Sequence, residues 1–159
     1  MRYLKPLFLT IIVVLTLTSC GSLRPATVTR HSSLEGYRYA YINSTSTKVG
    51  SAGYFYNGLG ASETKSTNPS EIISGFLMKK GFIIVPELKP ENESHTIVVN
   101  YAETGRRNLN LGYAIEITIQ ILSATDNSLL CTGTAEGQGS TEADDIRIAI
   151  NRCLAEIFK

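Results

Sequence analysis

The stretch from Gly112 to Leu122 alternates apolar and polar side chains with a strict period of two. An extended chain would carry isoleucine on one face and polar groups on the other: Ile115, Ile117, Ile119 and Ile121 against Glu116, Thr118 and Gln120. Successive side chains of a β-strand point to opposite faces of its sheet. The pattern therefore predicts a strand in an antiparallel sheet that is covered on one face and wet on the other. Such a face has to be buried against helices or a second sheet.

Four other stretches have the alternation or the apolar composition of strands: residues 36–43, 82–85, 95–102 and 128–136. On the last of these, Leu129, Cys131, Gly133 and Ala135 share one face, and their small side chains leave room for a helix. The stretches at 44–67 and 103–111 are interpreted as loops. The first is unusually long for a small domain, and a short strand at about 51–56 would shorten it.

Two stretches have apolar residues at helical spacing. The first opens with Asn68 as N-cap and a proline at the first helical position, and Gly81 suits the left-handed residue after its end. The second has Ser140 or Thr141 as its N-cap. It buries a stripe formed by Ile146, Ile150, Cys153, Leu154 and Ile157. Carboxylates Glu142, Asp144 and Asp145 lie in its first turn, where the helix dipole favours negative charge.

The order of these elements predicts an α+β domain over residues 36–159. We expect one mostly antiparallel sheet of four to six strands with both helices on one face, because the strands cluster between two helices.

The first 20 residues have the three parts of a secretory signal. Arg2 and Lys5 form a basic start, an apolar run extends from Leu7 to Leu17, and Thr18 and Ser19 precede Cys20. The run is short for a transmembrane helix, which needs roughly 20 apolar residues. Residues 1–19 are therefore predicted to be a signal peptide.

The sequence Leu17-Thr18-Ser19-Cys20 resembles the lipobox of bacterial lipoproteins. The resemblance implies a diacylglyceryl thioether on Cys20, cleavage before it and acylation of the freed amine by a chain such as palmitate. Gly21 follows, and the lack of an Asp there favours the outer membrane over the inner one. The alternatives are an uncleaved membrane anchor, or ordinary signal cleavage with an incidental cysteine. Residues 20–35 are expected to be the lipidated residue and a polar tether, which spans at most ~50 Å.

A second, weaker resemblance concerns the helix that runs through Phe76-Leu77 and Gly81 into the apolar residues 82–85. It is similar to the N-terminal domain of TolB and to related periplasmic lipoproteins of the curli-secretion and penicillin-binding-protein-activator kind. This resemblance implies the same α+β fold, and no functional residue is carried over from it.

Composition excludes several functions. The chain after the signal peptide has 13 basic and 14 acidic residues, so it lacks the basic surface expected of a nucleic-acid-binding protein. The sequence has no G-x-S-x-G, H-E-x-x-H or C-x-x-C motif, and its two histidines, His31 and His95, are far apart. We therefore expect no enzyme activity, no cofactor and no metal site.

Once Cys20 is assigned to lipid, Cys131 and Cys153 remain as a pair in an oxidising compartment. A disulfide between them would close a loop of about 20 residues and stabilise the fold by roughly 3 kcal/mol. The alternative is two buried free thiols, which is common for cysteine.

Two surface features are candidate binding sites: Tyr54, Phe55 and Tyr56 in the long loop, and Arg106 and Arg107 at a predicted hairpin tip, where guanidinium groups suit a carboxylate or phosphate. The sequence as a whole predicts a membrane-anchored, non-enzymatic envelope lipoprotein that binds another envelope protein or a cell-wall component, in the periplasm or at the outer membrane. The alternative is a module that binds a small ligand or glycan through Tyr54–Tyr56.

Overall fold

The computed structural model describes residues 22–56, 59–109 and 112–159. Within these ranges the chain forms eight strands, two α-helices and one short 3₁₀ turn. In chain order they are β1 (Thr27–Arg30), β2 (Tyr39–Ile42), β3 (Lys48–Tyr56), β4 (Leu59–Thr67), α1 (Pro69–Lys79), β5 (Ile83–Val85), the 3₁₀ turn (Glu93–His95), β6 (Thr96–Asn108), β7 (Tyr113–Ser123), β8 (Leu129–Gly137) and α2 (Glu142–Ile157).

Six of the strands form one sheet in the order β1-β8-β7-β6-β2-β5. The first three pairings are antiparallel, and the two that involve β2 are parallel. Strands β3 and β4 form a separate antiparallel hairpin. The predicted α+β class, with a mostly antiparallel sheet, is confirmed.

Both helices cover the isoleucine face of the sheet. Ile73 and Leu77 of α1 and Ile146 and Ile150 of α2 are fully buried in one cluster with the four alternating isoleucines of β7. Gln120, on the other face of β7, is exposed. Burying each such aliphatic side chain contributes about 1.5–3 kcal/mol, so this layer supplies most of the driving force for folding.

The helix ends follow the predicted pattern. Asn68 Oδ1 accepts a hydrogen bond from the amide of Ser70, 3.1 Å away, and Thr141 Oγ1 accepts one from the amide of Asp144 at 3.2 Å. Gly81 has a φ of +93°, a conformation that residues with a Cβ rarely adopt. Of the two residues proposed as N-cap of α2, Thr141 is the one that caps it.

Two stretches predicted to be loops are strands. Lys48–Tyr56 and Leu59–Thr67 pair as the β3–β4 hairpin, which includes the short strand suggested at about 51–56. Strand β6 continues to Asn108, with a register shift between Glu103 and Gly105. Most side chains of both stretches are polar, so neither stretch has the apolar alternation of a half-buried strand. Strand pairing across the sheet therefore determines their structure.

The prediction that residues 20–35 form a polar tether is wrong for residues 22–35, the part that the structure describes. β1 pairs antiparallel with β8, from Thr27 opposite Thr134 to Arg30 opposite Cys131. Val28 and Leu34 pack against the core. The folded domain thus begins well before Gly36, the boundary expected from the sequence.

Candidate functional site

The carboxylate of Glu136 is buried at the end of β8, on the sheet face opposite the helices. Its side chain is 2% exposed. Arg107 donates from Nε to Oε1 over 2.8 Å and from Nη2 to Oε2 over 2.6 Å. This two-point pairing is among the stronger hydrogen-bonding arrangements in proteins, and it fixes the direction of both groups.

Arg107 and Glu136 reach each other across the strand that separates them. β7 lies between β6 and β8, with Ala114 opposite Arg107 and Glu116 opposite Glu136. Residues directly opposite in an antiparallel pair share a face, so all four lie on the open side of the sheet. Ala114 has only a methyl group, which leaves space for the guanidinium to cross.

The same residues hold the N-terminal segment. The amide of Arg24 donates to Glu136 Oε2 over 2.8 Å, and Arg107 Nη2 donates to the carbonyl of Ser22 over 3.2 Å. Arg152 of α2 donates to two carbonyls, those of Arg24 at 2.8 Å and of Glu136. β1 stops pairing at Thr134, so Arg152 satisfies a β8 carbonyl beyond the last strand partner. We call Arg24, Arg107, Glu136 and Arg152 the Glu136 cluster.

The Glu136 cluster is electrostatically asymmetric. The hydrogen bonds from Arg107 lower the pKa of Glu136 to about 2, against the opposing effect of burial. Glu136 is therefore ionised at neutral pH, and its carboxylate lies beside the guanidinium groups of Arg107 and Arg24. The third guanidinium, that of Arg152, binds the backbone carbonyl of Glu136. The side chain of Arg24 is 66% exposed, and its Nε lies 3.7 Å from Glu136 Oε1, beyond hydrogen-bond distance.

A cavity of about 380 Å³ opens beside the Glu136 cluster on the open face of the sheet. Its walls include Arg24, Thr27, Glu116, Thr134 and Glu136. Glu116 Oε1 accepts a hydrogen bond from Thr104 Oγ1 at 3.2 Å. The cavity therefore has charged groups of both signs beside hydroxyl groups, in the size range of small-ligand sites.

A second, more open groove of about 520 Å³ lies at the opposite end of the sheet. It is bounded by the end of β1, the residues before β2 and β5, and the end of α2, and it includes Arg30, Tyr37, Phe82, Phe158 and Lys159. The rings of Phe82 and Phe158 meet edge to face, 5.7 Å apart. The two ends of the sheet thus differ, one ionic and one aromatic.

The two predicted arginines lie in strand β6 and not at a hairpin tip. Each meets a carboxylate, as its chemistry suggested, but the carboxylate belongs to this chain. Arg107 binds Glu136, whereas Arg106 lies on the helix face, 2.7 Å from Glu142 Oε1 and with its guanidinium 5.1 Å from the centre of the Tyr113 ring.

The structure describes only part of the other predicted site residues. Cys20 lies outside the described residues. The backbone of Tyr54–Tyr56 forms the end of β3, paired with residues 59–61, but the side chains of Tyr54, Phe55 and Tyr56 lie outside the described part.

Cys131 and Cys153 are free, buried thiols in the structure. Burial raises the pKa of Cys131, and it raises the pKa of Cys153 to about 12. Of the two alternatives that the sequence left open, a disulfide or two buried thiols, the structure has the two thiols.

The carboxylates of Asp144 and Asp145, in the first turn of α2, accept hydrogen bonds from other parts of the domain. Asp144 accepts from Lys65, Ser140 and Thr141, and the hydrogen bond from Lys65 comes first among the causes that lower the pKa of Asp144 to about 2. Asp145 is buried and accepts from the amide of Gly139. No group of three or more histidine, cysteine, aspartate or glutamate side chains is arranged to hold a metal within the described residues.

Glu136, Glu116 and Arg152 were not predicted as site residues. Each carries an ordinary polar side chain at a position expected to face water, so the sequence has no local signal for them. Their proximity depends on the pairing register of three strands and on where β1 ends. In the ranges that the structure covers, no helix has the length and apolar character needed to cross a bilayer.

No protein-family model matches the chain, and no curated protein matches it. Among solved structures it is similar to the PelC dodecamer from Paraburkholderia phytofirmans. A point variant of PelC in space group C2 has 13% identity and a TM-score of 0.47, and the protein in space group P6 has 12% identity and a TM-score of 0.46. Each comparison covers 82% of this chain and 95% of the other. No function is transferred from this similarity.

Proposed function

We propose that this chain is a non-enzymatic envelope lipoprotein whose domain is seated directly against the membrane and serves as an accessory or interaction module. The proposal rests on one observation: the sheet and α2 hold the segment that follows the lipobox in place. The carbonyls of Ser22 and Arg24 are bound by Arg107 and Arg152, which belong to the sheet and to α2.

Because Ser22 and Arg24 are held by the domain, covalent geometry also limits how the domain can be oriented relative to Cys20. Successive Cα atoms are about 3.8 Å apart, so Cys20 lies within about 8 Å of Ser22 whatever the conformation between them. Acyl chains on Cys20 would bring the end of the sheet that carries the Glu136 cluster to the head-group layer. Stable anchoring requires more than one acyl chain, which the lipobox modification supplies.

The opposite end of the sheet would then face away from the bilayer. The aromatic groove with Phe82 and Phe158 lies at that end, together with the basic side chains of Arg30 and Lys159. A protein or cell-wall partner would approach the domain from this side. The short connection to the lipid would keep this groove at a constant distance from the membrane.

Mass spectrometry of the mature protein tests the anchor. We expect a chain that begins at a lipid-modified Cys20, and loss of lipid and membrane retention in Cys20→Ala. An unmodified Cys20 in the mature wild-type protein would reject the proposal.

Fluorescence quenching by nitroxide-head-group lipids tests the orientation. One probe is attached at Asn108→Cys, exposed at the end of β6 nearest Ser22, and the matched probe at Glu35→Cys, exposed at the other end. We expect strong quenching at residue 108 and weak quenching at residue 35. Equal quenching would show that the domain moves freely on a tether.

A further inference from the structure

We propose that the cavity beside the Glu136 cluster binds a phosphoethanolamine head group, with the phosphate on Arg24 and the ammonium on Glu116. The source we favour is a phospholipid next to the anchor, and this choice rests on the proposed membrane orientation. The proposal concerns a second, non-covalent contact between the domain and lipid.

Arg24 supplies the anion-binding half. Its guanidinium is largely exposed, and the nearest carboxylate oxygen, Glu136 Oε1, is 3.7 Å from its Nε. Glu136 already accepts three hydrogen bonds, two from Arg107 and one from the Arg24 amide. The donors of the Arg24 side chain therefore remain available, and a planar guanidinium is well suited to a phosphate.

Glu116 supplies the cation-binding half. Its partner is the hydroxyl of Thr104, at Oε1, and no lysine or arginine pairs with it in the part of the chain that the structure covers. Arg107, the nearest basic residue of β6 on the same face of the sheet, is bound to Glu136. A primary ammonium has three N–H donors and can hydrogen-bond to this carboxylate, whereas a trimethylated ammonium has no donor and can only attract it by charge.

The charges of the cavity select a zwitterion. Arg107 and Glu136 neutralise each other, and Arg152 binds backbone carbonyls and is not part of the cavity wall. The cavity wall then has one positive group, Arg24, and one negative group, Glu116. A simple anion would be repelled by Glu116 and a simple cation by Arg24. The hydroxyl groups of Thr27 and Thr134 line the same cavity and can donate to the phosphate oxygens.

Amide NMR of the full-length lipoprotein in detergent, titrated with water-soluble glycerophosphoethanolamine, tests the site. We expect shifts at Thr27, Glu116 and Thr134, and binding at least ten-fold weaker for glycerophosphocholine and for glycerol phosphate. Equal binding of all three compounds, or no shift with any of them, would overturn the proposal.

Point variants test the phosphate contact at Arg24 and the ammonium contact at Glu116 separately. Arg24→Ala should weaken glycerophosphoethanolamine binding at least ten-fold, whereas Glu116→Gln should make it bind no better than glycerol phosphate. Arg147→Ala is the matched control, since Arg147 is an exposed arginine on α2 outside the cavity. An equal loss in the control would reject the assignment of Arg24.

Lipid nanodiscs distinguish the source of the head group. Adding phosphatidylethanolamine to phosphatidylcholine discs should shift the same three amides. Shifts with the soluble compound alone would overturn the lipid source and leave a site for a free metabolite. The soluble titration does not require lipid on Cys20, so its failure would leave the anchored orientation unaffected.

Discussion

Arg107 and Glu136 lie on strands that are not neighbours, yet two hydrogen bonds of 2.8 and 2.6 Å join their side chains across β7. The same guanidinium binds the carbonyl of Ser22. One side chain thus joins β6, β8 and the segment at Ser22–Arg24. If Cys20 carries lipid as proposed, the position of that lipid relative to the domain depends on this residue.

Arg107→Ala should release the N-terminal segment. Without Arg107, Glu136 would be a buried carboxylate lacking its main partner, and its bond from the Arg24 amide would weaken. We expect hydrogen exchange at the Arg24 amide to accelerate roughly ten-fold or more, since hydrogen bonds to charged groups contribute about 1.5–3 kcal/mol. Arg106→Ala is the control, because Arg106 pairs with Glu142 instead. Unchanged exchange in Arg107→Ala would contradict this role.

The low pKa of Glu136 should make stability depend on pH in an acidic window. Its pKa is lowered from the ordinary value of 4.5 to about 2 in the fold, so the unfolded chain binds more protons between these values. Stability is therefore fully present above about pH 4.5 and is lost as the pH falls towards about 2. Urea unfolding at about pH 6 and about pH 3 should show a smaller difference for Glu136→Gln than for the wild type.

Protonation of Asp144 lowers the stability over nearly the same pH range, because the fold lowers the pKa of Asp144 from 3.8 to about 2. The double variant with Asp144→Asn should flatten the profile further. If Glu136→Gln kept the full wild-type slope, Glu136 would not be the group that titrates.

Gly137→Ala should destabilise the domain by about 1–3 kcal/mol, the usual cost of overpacking. A Cβ at Gly137 would lie 2.0 Å from the carbonyl oxygen of Asp145 and 2.6 Å from the amide of Ala149, both backbone atoms of α2. Gly75→Ala is the matched control, since nothing lies within 4 Å of its Cβ position. In helix α1 this change should stabilise by about 0.5–1 kcal/mol. If Gly137→Ala and Gly75→Ala changed the free energy of unfolding in urea equally, the backbone of α2 would not be in close contact with Gly137.

Gly50→Ala should loosen the β3–β4 hairpin from the domain. The new Cβ would meet the amide nitrogens of Ala143 at 2.7 Å and Glu142 at 2.8 Å, at the start of α2. Displacement would also break the 2.9 Å ion pair between Lys65 and Asp144. Cleavage at Lys65 by a lysine-specific protease should become faster, whereas Ser51→Ala, one residue along, should behave as wild type.

Thiol counting tests the state of the cysteines. In the native protein we expect Cys131 and Cys153 to resist alkylation at neutral pH, because burial raises the pKa of both thiols and limits access. After unfolding without reductant, two thiols should react. No reactive thiol would establish the disulfide, and a third would show that Cys20 carries no lipid.

The sequence predicts what short-range patterns encode. The alternation in β7, the Asn68 cap and the stripe of α2 specify their own elements, because period, capping and burial are properties of neighbouring residues. These features together were sufficient for the fold class.

The sequence does not predict structure that depends on distant partners. Strand β1 and the β3–β4 hairpin are polar on most positions, so their pattern resembles that of loops. The Glu136 cluster unites positions 24, 107, 136 and 152, and its formation requires the strand order and register of β6, β7 and β8. Arg107 was found as a candidate because paired arginines stand out, whereas a single Glu136 on a polar strand face does not.

The pairing of β1 with β8 also sets the order in which the chain can fold. Arg24 is synthesised early, but its partners lie more than 100 positions later, at Glu136 and Arg152. Long-range pairings of this kind form late, because a large loop has to close first. During synthesis the described N-terminal residues thus remain without their native partners until the last strand and helix are complete, and completing the fold encloses them.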